Sequence, residues 1–254
     1  MIPALIALLT AIFFGGEGNI FYVDDLEKGV KKHVENKEVR KEIKKDLKST
    51  EKIFKAFNKE RKQDFKEFIE LYNNQQTTSK ELNSFFETVQ NKRVEHQKQI
   101  VDKRLLVFEK IKDGEWEAIV ASSETVSEKR LAKAKKKAKL EKPAFPKTRK
   151  ALEKHILGAD KLNNSEEALD DFVASLLELE KNLIAVNVNE DKILADKESG
   201  KEEPLDIFIK ENEIRHSGFE TLISFHSHLK SNCSPEQWPS IIKAFTKELE
   251  TSSR

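Results

Sequence analysis

FKAFNKERKQDFKEFIELY, residues 54–72, decides the fold. Phe54 and Phe57 recur eleven positions later as Phe65 and Phe68, followed by Ile69 and Tyr72, with charged residues filling the gaps. Eleven residues are close to three helical turns, so these rings fall on one face as a nearly straight apolar seam. Ile43 and Leu47 extend the seam backwards, and Asn36 supplies a cap. A helix is therefore expected from about residue 37 to about Leu71.

The chain then turns back on itself. Residues 73–77 are polar and short, and Thr78 with Glu81 three positions later is a capping box. The helix it opens carries Leu82, Phe85, Phe86, Val89, Ile100, Val101, Leu105, Phe108 and Ile111, and is expected to run to about Lys112. A turn centred near residue 76 makes position i face roughly position 152 minus i in an antiparallel pair. That pairs Phe86 with Phe65, Leu105 with Leu47 and Phe108 with Ile43. Arg93 and His96 interrupt the seam. Arg93 falls opposite Glu60, the pattern of a half-buried ion pair that sets register.

The same pattern returns at an offset of 122. His33, Phe86, Arg93, Trp116 and Ile119 correspond to His155, Phe208, Arg215, Trp238 and Ile241, and the apolar register follows. Trp116 and Trp238 are the only tryptophans in the chain. The fold expected is all-α: long antiparallel hairpins in two tandem copies related by internal duplication, each closed by a Trp-bearing helix. The organisation expected is a targeting segment over 1–18, a first hairpin domain with a basic connecting helix over 19–142, and a second hairpin domain over 143–254. Pro143 and Pro146 mark the internal boundary. In the second half, Asn164 with Glu167 reads as a capping box before a helix over 168–194. Gly200 to Pro204 reads as its turn.

Composition agrees with thin helical layers. The chain is 36% charged and 37% hydrophobic, with eight glycines and six prolines in 254 residues. Such a chain buries one stripe per helix rather than a thick sheet. Net charge is only +1, but residues 151–212 hold 16 acidic against 7 basic residues, a balance of −9. Lys129 to Lys142 holds eight Lys or Arg and one acid, suited to a solvated helix, to anionic lipid or to the acidic half. It lacks the interleaved aromatics that single-stranded nucleic acid needs, which argues against a nucleic-acid partner.

Ile2 to Phe14 is an uncharged, mostly apolar run. As a helix it spans about 20 Å, short of the roughly 30 Å hydrocarbon core, which fits a signal peptide or a minimal membrane anchor. The expected location is extracytoplasmic, periplasmic or secreted, or membrane-anchored; a cytoplasmic protein attached to the membrane through residues 2–14 and the lysine stretch is the alternative. Cys233, the single cysteine, rules out an internal disulfide.

Signals for chemistry are few. No phosphate-binding glycine loop, nucleophile elbow, CxxC or HExxH occurs, so neither catalysis nor a cofactor is expected. His216, His226, His228 and Cys233 are the candidate metal ligands, but His226 and His228 point apart on a helix. Ser234-Pro235-Glu236-Gln237 opens a helix, with Cys233 and Trp238 able to pack across the cap. Those four residues resemble the Thr-Pro-Glu-Gln-type motif of Spy-like periplasmic chaperones, small exported helical proteins that cradle clients or sense envelope stress. This chain departs from them in its length, its acidic second half and the lack of a clear first copy of the motif. The function expected is a non-enzymatic protein-binding module: adaptor, chaperone-like or structural subunit. A metal- or ligand-binding envelope sensor using His216–Cys233 is the alternative.

Overall fold

The computed structural model describes residues 20–23, 25–123 and 144–250, apart from side chains 180, 184, 187–192 and 250. The apolar run 2–14 and the lysine stretch 129–142 lie outside them. The described residues form eight helices: α1 (Leu26–His33), α2 (Lys37–Asn73), α3 (Ser79–Phe108), α4 (Asp113–Ser122), α5 (Pro146–His155), α6 (Ala159–Ala195), α7 (Glu202–Asn232) and α8 (Trp238–Glu250). Among them no helix is long and apolar enough to cross a membrane.

Local chemistry sets the first boundaries as expected. The Asn36 side chain accepts from the Glu38 and Val39 amides at the start of α2. Thr78 and Glu81 form the reciprocal box that opens α3. The chain α2–turn–α3 is an antiparallel hairpin, and so is α6–turn–α7. Two boundaries differ. The third helix ends at Phe108 rather than near Lys112, and α6 begins at Ala159, so Asn164 lies inside the helix and caps nothing. Gly158, at φ +100°, starts that helix by accepting from the Leu162 amide (3.1 Å).

The hairpin register is also corrected. Phe86 meets Phe68 (ring centroids 5.6 Å), Lys92 meets Asp64 (2.7 Å) and His96 meets Glu60 (2.9 Å). Position i thus faces about 154 to 156 minus i. The shift has a geometric origin: side chains lean toward the N-terminus of their own helix, so each covers a spot about one residue or more before its Cα. In an antiparallel pair the two offsets add.

The hairpins lie head to tail, joined along α3 and α7, and both halves feed both cores. One core joins the turn end of the first hairpin (Phe68, Tyr72, Leu82, Phe86) to α5, α6, the end of α7, and α8. The other joins Ile20, Phe21, Val23, α1, the start of α2, the end of α3 and α4 to Leu194, Ile207 and Phe208 at the turn end of the second hairpin. The halves expected as tandem domains therefore share their interiors. Each Trp-bearing helix closes the opposite hairpin. The Trp116 indole donates to the Ala195 carbonyl, and Trp238 donates to the Asn73 carbonyl, both at 2.7 Å.

Candidate functional site

Between the two cores, α3 and α7 meet through polar side chains. The Gln97 and Asn212 amides bond each other (2.7 and 3.4 Å), and Arg215 reaches both Asn212 (3.1 Å) and Glu211 (2.9 Å). All four are at most 4% exposed. Arg93 lies one turn before Gln97 and is equally buried. Glu60 serves His96, which also packs on the Phe57 ring (4.5 Å). This layer fixes the pairing of α3 with α7, because a slip would strand buried charges.

The two turns carry a second pair of polar devices. Arg104 is fully buried and donates to the Leu194 and Asp196 carbonyls and to Ser199 Oγ (3.3, 2.9 and 2.8 Å), with its guanidinium over the Phe108 ring. His226 occupies the corresponding place at the other end, between the Tyr72 ring (4.7 Å) and the Trp238 ring (5.1 Å). Burial, reinforced by the Lys230 charge, pushes its pKa down to about 4, against hydrogen bonds to the Tyr72 and Asn74 backbone. Neither role announces itself in the sequence; only the offset of 122 relates the two positions.

The candidate metal ligands are dispersed. His216 is exposed and lies 3.7 Å from Glu220. His226 is a core residue, and His228 lines the surface between α6 and α7. Cys233 is buried at the end of α7, where burial raises its thiol to about 11 and its carbonyl accepts from Gln75 (3.0 Å). Among the described residues no three His, Cys, Asp or Glu side chains are grouped to hold a metal ion. The start of α8 lies later than read: the helix begins at Trp238 rather than Pro235, with residues 235–237 in a turn. The Ser234 amide donates to Gln237 Oε1 (2.8 Å), its hydroxyl donates to Glu236 (2.6 Å), and Trp238 is buried.

What the surface does offer is a groove between α6 and α7, with a volume of ≈ 420 Å³. Phe172 and Phe225, stacked at 5.2 Å, form its floor. Its walls are small: Ala168 and Ser175 on α6, Ser217, Thr221 and Ser224 on α7. Asp171 and Glu220 stand exposed at its rims, and His228 lies at one end. Sequence reasoning passed over it because small polar residues on a solvated face carry no motif. The seven-residue spacing of Ala168 to Ser175 and of Ser217 to Ser224 was the available signal. Leu106, Leu157, Leu177 and Ile209 are the exposed large apolar side chains among the described residues, and they sit on α3, the link between α5 and α6, α6 and α7.

A concave surface with an aromatic floor, small hydroxyl-bearing walls and carboxylates at its edges is a candidate binding surface. No family model, no curated protein and no solved structure matches this chain.

Proposed function

We propose that this chain is a non-enzymatic protein-binding module, exported or membrane-tethered, built by duplication of a helical unit. The observation that carries the binding reading is the groove between α6 and α7. At the corresponding positions of α2 and α3 stand Asp46, Ile53, Glu95, Gln99, Asp102 and Leu106. There Asp46 pairs with Lys110, and Asp102 with Lys201. One hairpin face thus carries longer and ion-paired side chains where its counterpart is walled by small ones. That asymmetry favours an adaptor over a chaperone with a broad apolar cradle.

Duplication is supported by coincidence of geometry. Shifted by 122, the bounds of α2 become those of α6. Asn74 Oδ1 accepts the Gln76 amide as Asp196 Oδ1 accepts that of Glu198. The Lys112 amide donates to Glu115 as that of Ser234 does to Gln237. The two indole bonds to Ala195 and Asn73 exchange under the same shift. Unrelated helices share an apolar register by chance far more readily than they share turn, cap and cross-half hydrogen bonds. Tethering draws on the apolar run that precedes Ile20, Phe21 and Val23, whose side chains are built into the core.

Photo-crosslinking residues placed singly at exposed sites around the bundle test the binding reading in cells. A recurrent protein adduct confined to one face is expected; adducts absent from every face would remove it. A reporter active only after export, fused behind residue 254, tests location. Activity confined to the cytoplasm would overturn that part.

A further inference from the structure

We infer that the α6–α7 groove is the seat for a basic amphipathic helix of a partner protein. This rests on the protein-binding reading above and names the class of partner.

The shape argues for a helix. Ser217, Thr221, Ser224 and His228 follow one another at four, three and four residues, a continuous face of α7, and Ala168 and Ser175 lie one heptad apart on α6. Two antiparallel helices with small side chains on adjoining faces leave a trough into which a third helix can pack closely, its apolar residues over Phe172 and Phe225. Both phenylalanines are only 2% exposed, so the floor is formed before anything binds, and the surface an incoming helix covers is mainly that of the small wall residues Ala168, Ser175, Thr221 and Ser224.

The charge argues for a basic one. Asp171 on one rim and Glu220 on the other are both exposed, and residues 151–212 carry a balance of −9. Lysine or arginine flanks on the incoming helix meet both rims, which speeds encounter and rejects acidic helices.

The test uses the full chain and a fluorescent 21-residue helical peptide with a Leu/Ala heptad face and lysine flanks. A second peptide is identical except for glutamate flanks, and binding is read by anisotropy. The lysine peptide is expected to bind saturably, and the glutamate peptide at least tenfold more weakly. Ser224→Trp fills the trough from an exposed position and is expected to weaken binding at least tenfold with an unchanged melting temperature. Asp171→Lys with Glu220→Lys is expected to reverse the preference between the peptides. Equal binding of both peptides, or binding indifferent to Ser224→Trp, overturns the inference. So does binding that emerges only when the lysines of 129–142 are changed to Gln, since the chain would then be filling its own groove. No peptide binding alongside cellular crosslinks on another face removes the groove and leaves the binding function standing.

Discussion

Position 104 holds an arginine and position 226 a histidine, and each reaches the backbone at the turn of the opposite hairpin. Burial lowers the Arg104 pKa only to about 10, so it stays charged at neutral pH. His226 is neutral there, because the buried site disfavours its cation. An imidazole titrates near 6.5 in the unfolded chain and near 4 in the folded one. Acid therefore binds the unfolded chain first, and stability falls as pH drops from about 6.5 to about 4, by about 3 kcal/mol for this group. Urea unfolding at pH 7 and pH 4.5 measures it; His226→Gln is expected to lose that part of the pH dependence. Gly29 makes a second residue-scale prediction. A Cβ there would lie 2.7 Å from Ile119 Cγ2, on a fully buried side chain. Gly29→Ala is expected to destabilise by about 1–3 kcal/mol in the same assay, because overpacking forces the α1–α4 contact apart.

At the scale of elements, the short helices carry the closure. Trp116 on α4 and Trp238 on α8 each satisfy a carbonyl at the C-terminal end of a long helix, where the helix itself offers no donor. Trp116→Phe and Trp238→Phe each keep most of the apolar contact and leave that carbonyl without its donor. Each is expected to cost about 1–3 kcal/mol, and the double variant about the sum, since the two lie in different cores. Thermal melts of the three variants check this. Element starts were legible where the cap is local. Asn36 and Thr78 were read from three or four residues because their bonds reach no further. Residues 164–167 misled for the same reason: they have the composition of a capping box, but about one and a half turns of helix lie upstream, with Ser165 buried and bonded to the Lys161 carbonyl. The offset relation would have placed this start at residue 159, nine residues before the start read from composition alone.

On the scale of the whole molecule, the consequence of shared cores is interdependence. Neither half can bury its own seam: Phe86 stacks on Phe219 from the other half at 4.2 Å, and Tyr72 donates to the Leu222 carbonyl (2.8 Å). Fragments 20–123 and 144–250 are expected to be largely unfolded apart. Mixed at equal concentration, they are expected to regain helical circular dichroism and one cooperative melt. Independent melting of either fragment would show that the halves are separate domains after all.

Helicity, the two hairpins, the leading caps and the packing role of the tryptophans follow from the order of residues, because each depends on periodicity or on bonds spanning a few positions. The 122-residue echo between halves was visible there too. Which half closes which was not, since Trp116 and Trp238 look the same whether they cap their own hairpin or the other. Only the packed chain decides that Arg104 and His226 meet foreign turns, that Gln97 and Asn212 form one layer, and that α6 and α7 leave a groove. Those are contacts between residues about 50 to 150 positions apart, and their partners are chosen by shape and charge in three dimensions rather than by neighbours in the chain.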